Sequence, residues 1–371
     1  MDSLPLHNPF GRVRDRPSTT VERVHVTENA PLAPLTTLRL GGPARRLVTA
    51  RTDAEVVGAV RAADAAGEPL LVLGGGSNLV IGDAGFPGTV LRIATSGFTL
   101  TGTELELAAG EVWAEAVART VEAGLAGIEF LAGIPGSAGA TPVQNVGAYG
   151  QEVAQSITEV VAYDRLGGET VTLPAADCAF SYRHSRFKAD PDRYVVLRVR
   201  FALEDAAGAS SPVQYAEVAK TLGTGAGERV PLRAAYETVL ALRAGKGMVL
   251  DPTDHDTWSA GSFFTNPILT PEQYRAFQER LTAHALTAPA WAAPDGGTKT
   301  SAAWLIDKAG FTKGYGGGPA TLSGKHTLAL TNRGRASTED LLALAREIRD
   351  GVHEAFGVRL VNEPVLVGVS L

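Results

Sequence analysis

The chain has 371 residues, of which 44% are hydrophobic and 20% charged, a composition typical of a globular protein with two or three domains. Its 34 basic and 40 acidic side chains give a net charge of −6, which argues against broad binding to nucleic acid or to an anionic membrane. The single cysteine, Cys178, excludes an internal disulfide and fits a reducing cytoplasm. We see no apolar run long enough to span a bilayer and no apolar core of a signal peptide.

The first hundred residues alternate between strand-like and helical patterns. Residues 1–17 are polar and contain three arginines, so they predict a flexible tail, with a nucleic-acid arm as the less favoured alternative. Residues 36–50 predict a strand, a glycine turn and a second strand. Thr52 and Glu55 have the spacing of a capping box and predict a helix that ends at Gly67.

A glycine loop follows the buried strand predicted over residues 70–73. The loop reads Gly74, Gly75, Gly76, Ser77 and Asn78, a composition typical of phosphate-binding turns. The next stretch, residues 79–93, is β-like and broken by glycine and proline. A Rossmann domain would need a helix there, with its N-terminus at the pyrophosphate, so we predict a different α+β fold.

A second glycine-rich run extends over residues 127–150. No helix or central strand tolerates so many glycines, because each costs roughly 0.5–1 kcal/mol relative to alanine inside an element. Bare N–H groups beside uncharged polar side chains favour a cradle for a large cofactor with a pyrophosphate and a flat ring. An ordinary long surface loop is the alternative. The polar residues in the run are Ser137, Thr141, Gln144 and Asn145.

The remaining elements follow from periodicity, capping residues and glycine stops. In chain order they are a strand over 105–109, a helix over 114–123, a hairpin over 157–174, a strand over 194–203, a helix over 231–243, a helix capped by Thr270, a helix over 301–310, a strand over 326–332, a helix from Ser337 to Gly357 and a closing strand over 358–371. Gly245 and Gly247 mark a predicted domain boundary.

Three single residues are candidates for chemistry, each with a plainer alternative. Arg183 could pair with a carboxylate or be a surface arginine, and Ser262, after Gly261, could be reactive or a capping hydroxyl. Glu363 lies between apolar runs, so it is either a functional carboxyl with a raised pKa or a strand-edge glutamate in water.

Other catalytic signatures are weak or missing. We find neither a G-x-S-x-G elbow nor a complete Walker loop. The acidic cluster of Asp251, Asp254, His255 and Asp256 could bind a metal, but its bunched spacing is more typical of a solvated turn. We therefore predict no metal site.

Seven segments in order resemble the UDP-N-acetylenolpyruvoylglucosamine reductase family, from about residue 18 onward. They are TTLRLGGPA (36–44), LGGGSNLVI (73–81), IPGSAGATPVQNVGAYG (134–150), SYRHSRFK (181–188), AGSFFTNP (260–267), WLIDKAG (304–310) and EPVLVG (363–368). The sequence Asn362-Glu363-Pro364 departs from the family's Pro-Glu-Val.

The resemblance implies an α+β fold with a vanillyl-alcohol-oxidase/PCMH-type FAD-binding domain in two lobes and a smaller α/β substrate-binding domain. We expect the first lobe over 18–95, the second over 96–246 and the substrate domain over 247–357. Residues 358–371 are expected to return to the active site as a strand.

The resemblance also assigns site residues. Contacts to noncovalent FAD carry over to Gly74, Gly75, Gly76, Ser77, Asn78, Ile134, Pro135, Gly136, Ser137, Gly139, Ala140, Thr141, Gln144, Asn145 and Gly147. Catalysis carries over to Ser262 as proton donor, with Arg183 and Glu363 beside the reacting group. Substrate binding carries over to Tyr182, Lys246, Asn266 and Tyr215, the last on a loop typical of one subclass of the family.

The expected reaction is a ping-pong reduction of UDP-N-acetylglucosamine enolpyruvate in peptidoglycan precursor synthesis. NADPH reduces the flavin at N5, and hydride then passes to C3 of the enolpyruvyl ether, while Ser262 protonates C2. Arg183 and a protonated Glu363 would stabilise the enolate. The alternatives are a flavin oxidase or dehydrogenase of the same fold acting on an alcohol or sugar, and a non-catalytic nucleotide-sugar binding protein.

Overall fold

The computed structural model describes residues 24–293 and 296–371, so the tail predicted over residues 1–17 lies outside the described part. The helices are α1 (Asp53–Ala66), α2 (Trp113–Glu122), α3 (Arg186–Ala189), α4 (Ala216–Leu222), α5 (Leu232–Gly245), α6 (Pro271–Ala283), α7 (Ala302–Lys308) and α8 (Thr338–Phe356). The strands are β1 (His25–Pro31), β2 (Pro43–Ala50), β3 (Leu70–Leu73), β4 (Leu79–Ile81), β5 (Phe86–Ile93), β6 (Phe98–Thr101), β7 (Glu104–Ala108), β8 (Gly147–Ala148), β9 (Gln151–Glu152), β10 (Ile157–Asp164), β11 (Glu169–Pro174), β12 (Tyr194–Ala202), β13 (Ile268–Leu269), β14 (Ala290–Ala292), β15 (Thr298–Thr300), β16 (Ala320–Leu322), β17 (Leu330–Asn332) and β18 (Val365–Val367).

Two sheets form the first two thirds of the described chain. The first has the order β1-β2-β5-β3, with β5 parallel to both β2 and β3 and β1 antiparallel at the edge. The second has the order β11-β10-β12-β7-β6 and is antiparallel throughout. One continuous core joins them, because Val56 of α1, Leu91 of β5, Trp113 of α2 and Phe201 of β12 belong to the same buried cluster.

The last third packs three helices around small sheets. The strands form β13-β15-β14 and β16-β17, and α6 and α7 pack on α8. Leu341, Ile348 and Val352 of α8 are fully buried, in keeping with the helical spacing of its apolar residues. Phe263 and Phe264, each 1% exposed, complete this core.

Side-chain hydrogen bonds and one strand pair connect this last third to the first sheet. Asp83 accepts hydrogen bonds from the backbone N–H groups of Thr338 (2.8 Å) and Glu339 (3.1 Å). It therefore caps α8 from outside this last third, the C-terminal region. Asn332 donates to the carbonyl of Leu38 at 3.0 Å. Strand β18 pairs in parallel with β4, which returns residue 363 to the end of the first glycine loop.

Most predicted helices are confirmed, and their capping residues are those read from the sequence. Thr52 and Ser337 each form a capping box, and Gly67 and Gly357 end their helices in the left-handed conformation. Within the described residues, none of the helices is long and apolar enough to cross a membrane.

Three strand predictions need correction. The strand expected over residues 36–40 is wrong: the segment turns, with Arg39 at φ 54°, because the Thr36 hydroxyl bonds the backbone of Leu40. The strand expected over 326–332 is limited to β17, since the imidazole of His326 accepts the N–H of Leu328. The closing strand is limited to β18.

Candidate active site

The two glycine-rich loops lie directly against each other. A Cβ added to Gly74 would stand 2.4 Å from the Ser137 hydroxyl, and one on Gly75 would stand 2.6 Å from Cα of Gly136. Gly76 has φ +62°, and a Cβ there would be 2.0 Å from the carbonyl of Leu35. Gly75 is therefore required by backbone contact between the loops, Gly74 by the nearby Ser137 hydroxyl, and Gly76 by its positive φ and the carbonyl of Leu35.

The first loop borders a cleft suited to an anionic cofactor. Within the described residues, we find no protein acceptor for the N–H groups of Gly75, Gly76 and Ser77. The cleft has a volume of ≈ 300 Å³, and its lining includes Gly74, Gly75 and two cations, Arg39 and Arg92. Unpaired N–H groups beside guanidinium groups fit a pyrophosphate. The two arginines were missed in the sequence because each is an isolated residue in an apolar segment.

The second loop uses part of its polar side chains to hold itself together. The hydroxyl of Thr141 donates to the carbonyl of Ala138 at 2.7 Å. The amide of Asn145 donates to Glu152 at 2.7 Å and accepts the N–H of Ala154 at 3.1 Å. Thr141 and Asn145 are 3% and 1% exposed, so the side chains of these two expected FAD contacts are engaged within the protein.

The other expected FAD contacts surround this pair of loops. Ser137 and Ala140 face the glycines of the first loop, and Gly139 packs against the backbone of Ala109. Gly147 presents its carbonyl to Arg183 at 2.7 Å. Ile134 and Pro135 precede the contact at Gly136 in the chain.

Arg183 and Glu363 form an ion pair in the interior. Nε of Arg183 lies 3.0 Å from Oε1 of Glu363, and their side chains are 19% and 13% exposed. The Nε–H is not directed at an acceptor, so the contact is electrostatic without hydrogen-bond geometry. Arg183 occupies the corner of a tight turn between Ser181 and His184 with φ 53°, a strained conformation for a non-glycine residue.

The surroundings of Glu363 act on its pKa in opposite directions. Burial raises the pKa of this carboxyl, and it outweighs the lowering by Arg183, Lys188 and a hydrogen bond from Gln144. The Gln144 Nε2 donates to Oε1 of Glu363 at 2.9 Å. The reading of Glu363 as a strand-edge glutamate in water is therefore wrong.

The two residues after Ser262 pair through their backbone with the segment that carries Glu363. The carbonyl of Phe263 accepts the N–H of Glu363 at 2.8 Å, and Phe264 pairs with Asn362. Within the described part of the chain, the Ser262 hydroxyl has no hydrogen-bond partner, so it is free to act on a ligand. Gly261 is in the left-handed region at φ +73° with no atom crowding its Cβ position, so conformation rather than close approach requires this glycine.

Tyr182 and Asn266 lie beside the ion pair. Burial raises the pKa of the Tyr182 phenol, although hydrogen bonding to Asn266 opposes this. The side-chain oxygen of Asn266 accepts the N–H of Ala302 at the start of α7, at 3.0 Å. The ammonium group of Lys299, not selected from the sequence, lies 4.8 Å from the Tyr182 ring centre.

Tyr215 and Lys246 form a separate polar cluster around Tyr149. Tyr215 immediately precedes α4, is 43% exposed and meets the Tyr149 ring edge-on at 5.2 Å. Nζ of Lys246 lies 2.5 Å from Glu217 and 5.4 Å from the Tyr149 ring centre. Tyr149 follows Gly147 by two residues, so the cluster adjoins the turn that holds Arg183.

Two more charged or titratable residues of this region were missed in the sequence. Burial lowers the pKa of Arg243 to about 10. Burial, with nearby Lys246 and Lys313, lowers the pKa of His326 to about 4, so its imidazole is neutral at pH 7. Its Nδ1 accepts the Leu328 N–H, which places the remaining proton on Nε2. No local motif in the sequence marks Arg243. For His326, the available signal is the triplet Gly324-Lys325-His326.

The acidic cluster after residue 250 is engaged in ion pairs. Asp254 lies 2.5 Å from Nζ of Lys325, and Asp256 lies 2.8 Å from Arg333. Within residues 24–293 and 296–371, we find no group of His, Cys, Asp and Glu side chains arranged to hold a metal.

Within the described residues, a two-sheet α+β domain carries the glycine cradle with no helix after the first glycine loop, and residues 44–173 match the FAD binding domain model, so the chain is an FAD-dependent oxidoreductase. Residues 251–367 match the model of the UDP-N-acetylenolpyruvoylglucosamine reductase C-terminal domain. The chain belongs to the UDP-N-acetylenolpyruvoylglucosamine reductase family, since a reductase of this name is 73% identical to it over 96% of the chain. The predicted fold class and enzyme class are thereby confirmed.

Relatives of this family cover nearly the whole chain. The reductase of Streptomyces coelicolor is 73% identical over 358 residues, which are 96% of this chain and 94% of the relative. The reductase of Thermobifida fusca is 53% identical over 92% of this chain and 98% of its own length. The crystal structure of the Thermus caldophilus reductase superposes with a TM-score of 0.63 at 27% identity, over 93% of this chain and 99% of that one.

Proposed function

We propose that the chain reduces UDP-N-acetylglucosamine enolpyruvate to UDP-N-acetylmuramate with electrons from NADPH, a step of peptidoglycan precursor synthesis. The observation that carries this proposal is the ion pair of Arg183 with Glu363 beside the glycine loops, with the residue after Ser262 hydrogen-bonded through its carbonyl to the N–H of Glu363. A water-poor cation, a carboxyl with a raised pKa and a free hydroxyl suit reduction of an enol ether that bears a carboxylate.

The residues present fit FAD. The bare N–H groups of Gly75, Gly76 and Ser77, with Arg39 and Arg92, would hold its pyrophosphate. When bound, FAD supplies the hydride that NADPH delivers to it. The second loop would form the opposite wall of the cradle, since Gly136, Ser137 and Ala140 lie against Gly74 and Gly75.

Arg183 and Glu363 would stabilise the charge that develops on the substrate. Hydride addition at C3 leaves negative charge on C2 and its carboxylate, and the guanidinium of Arg183 keeps its charge at neutral pH. Glu363, with its raised pKa, can be protonated and donate a hydrogen bond to the same enolate. The turn that strains Arg183 also fixes its direction, since two carbonyls of the second loop accept its other N–H groups.

Ser262 would donate the proton to C2. Its hydroxyl is unengaged in the described part of the chain, and the backbone pairing of Phe263 with Glu363 fixes its place. Serine is a weak acid in water, so it can protonate C2 only if that carbon is strongly basic. Arg183 and Glu363 stabilise the negative charge on C2 only in part, so the carbon stays basic.

We assign the substrate nucleotide to the cluster around Tyr149. Tyr215 at the start of α4 and Lys246 offer a phenol and a cation at the surface of this cluster, and both suit a diphosphate. This assignment places the chain in the subclass with the tyrosine-bearing loop. Tyr182 and Asn266 would contact the substrate on the other side of Arg183.

The two sheets and the helical last third support the proposed division of the chain. We assign the first FAD-binding lobe to residues 18–95, the second to 96–246 and the substrate-binding domain to 247–357. Residues 358–371 return to the first lobe through β18. Glu363 thereby joins the FAD-binding lobes although it follows the substrate domain in sequence.

We place the reaction in the cytoplasm. Cys178 is the single cysteine of the sequence and is buried. Burial raises the pKa of its thiol to about 11, so it is inert as a nucleophile. A chain with one inert thiol and no disulfide is suited to a reducing compartment.

The test is to follow the two half-reactions of Ser262→Ala by anaerobic stopped-flow absorbance. Flavin reduction by NADPH should persist within about twofold, whereas reoxidation by the enolpyruvyl sugar nucleotide should slow by ~10²–10⁴-fold, the typical contribution of a proton donor. The exposed Ser96→Ala is the matched control and should leave both steps unchanged. An equal loss in both steps would refute the role of Ser262, and a wild-type protein that the substrate does not reoxidise would refute the proposed function.

A further inference from the structure

Two side chains expected to contact FAD are connected to Glu363. The amide nitrogen of Asn78 donates to Oε1 of Gln144 at 2.8 Å. The amide nitrogen of Gln144 donates to Oε1 of Glu363 at 2.9 Å. A continuous series of hydrogen bonds therefore connects the first glycine loop, the second glycine loop and the Glu363 carboxyl. The bond from Gln144 to Glu363 joins residues that are 219 positions apart in the sequence.

The direction of this series is fixed by its first member. Because the Asn78 nitrogen donates, the oxygen of Gln144 must accept, and its NH₂ group is left facing Glu363. The backbone of Asn78 is held in place, since its main-chain carbonyl accepts the N–H of Val365 at 2.9 Å at the start of β18. Strand β18 also follows Glu363, so both ends of the series are anchored on the same strand pair.

The carboxyl of Glu363 is asymmetric as a result. Oε1 receives Gln144 at 2.9 Å and stands 3.0 Å from Nε of Arg183. Within the described part of the chain, Oε2 has no hydrogen-bond partner. An oxygen that already accepts from a donor and faces a cation is a poor place for a proton, so a proton on this carboxyl belongs on Oε2.

We propose that Gln144 is a positioning residue that, supported by Asn78, turns Glu363 so that Oε2 presents its proton to the substrate. The inference rests on the proposed function and adds to it the atom that acts. Gln144 does not touch the reacting carbon; it acts through Glu363.

The charged and titratable groups facing Glu363 set the expected pH response. They are Arg183 and Tyr182 from the turn and Lys188 from α3. A hydrogen bond from Gln144 favours the ionised carboxylate, so its removal raises the pKa of Glu363 further. The protonated carboxyl would then persist to higher pH while being less well oriented.

The experiment compares Gln144→Met, which keeps the length of the side chain but cannot donate, with Gln278→Met, exposed on α6, as a matched control. Each holoenzyme is reduced by NADPH and reoxidised by the enolpyruvyl sugar nucleotide over a pH series. For Gln144→Met we expect FAD content and flavin reduction within about twofold of wild type. Its maximal reoxidation rate should fall at least about tenfold, with the basic limb of the profile moved to higher pH by ~1 unit. The control should match wild type throughout.

Three outcomes would overturn the inference. An unchanged pH limb would show that Gln144 does not act on Glu363, and a loss of FAD with normal reoxidation in the remaining holoenzyme would make it a cofactor contact. If Gln144→Met does not fold, Gln144→Asn, which keeps the amide but is too short to reach, must show the same shift, and its absence refutes the inference. Failure of the substrate to reoxidise wild type would overturn the proposed function and this inference with it.

Discussion

At the scale of single residues, the ion pair between Arg183 and Glu363 is a costly arrangement retained at a functional position. Burying two charges costs several kcal/mol per ion unless geometry and hydrogen bonds compensate. Here the Nε–H of Arg183 is not aimed at the carboxylate, and one carboxyl oxygen has no partner in the described part of the chain. The arrangement is incompletely satisfied without a ligand, which is what a site for a developing charge requires.

The raised pKa of Glu363 predicts how Glu363→Gln changes stability with pH. The folded-state pKa lies above the ordinary value of 4.5, so the wild type has its full stability below that value and loses part of it as pH rises through the folded-state pKa. Glutamine does not ionise, so the variant escapes this loss. Urea unfolding at a series of pH values should therefore show the free energy of unfolding of the variant, relative to wild type, increasing with pH. A relative stability that stays flat or decreases would contradict a raised pKa.

At the scale of elements, the glycine loops tolerate substitution poorly where they touch. The backbones of Gly75 and Gly136 are in contact, so there is no flexible side chain to move aside. The contact places the N–H groups of one loop beside the wall formed by the other. Cofactor binding is therefore tied to backbone packing between two segments.

Gly75→Ala should abolish tight FAD binding. Its Cβ would stand 2.6 Å from Cα of Gly136, which forces the loops apart. Visible absorbance after gel filtration and FAD titration should show at least about a tenfold loss of affinity. Gly58→Ala is the matched control: it lies exposed in α1 with nothing near its Cβ position, so it should keep FAD and gain roughly 0.5–1 kcal/mol of stability. FAD binding by Gly75→Ala at wild-type affinity would refute the contact.

Elements with local signals were predictable and those without were not. Thr52, Thr270 and Ser337 cap helices through side chains only three residues from their partners, so sequence spacing predicts them. Strand β1 is mostly exposed at a sheet edge and carries no apolar alternation. The site is harder still: the resemblance supplied Glu363, but its bond to Gln144 joins residues 219 positions apart and has no sequence signature.

At the scale of the whole molecule, the C-terminal region is bonded to the first sheet rather than loosely appended. Asp83 caps α8, the Thr338 hydroxyl donates to the carbonyl of Ile81 at 2.7 Å, and that of Thr37 donates to the carbonyl of Ser259 at 2.6 Å. These bonds, with the β4–β18 pair, place Ser262 and Glu363 in a common frame.

Asp83→Ala should weaken this coupling. Loss of the cap should cost about 1 kcal/mol, the typical value for a helix N-terminus, and should separate unfolding of the C-terminal region from that of the FAD-binding lobes. Ser337→Ala removes the other cap of α8, which the C-terminal region itself supplies. This variant should lower the free energy of unfolding without separating the two unfolding transitions. Denaturation monitored by far-ultraviolet circular dichroism and by flavin fluorescence distinguishes the two. Coincident transitions in Asp83→Ala would argue against its linking role.

The parallel pairing of β4 with β18 has a consequence for biosynthesis. Residues 79–81 emerge from the ribosome long before residues 365–367, so the nascent chain carries an unsatisfied strand edge throughout most of its translation. That edge is open to wrong pairing with another polypeptide during the interval. Chaperone demand and inclusion-body formation for this enzyme should therefore depend on how β4 is shielded before its partner arrives.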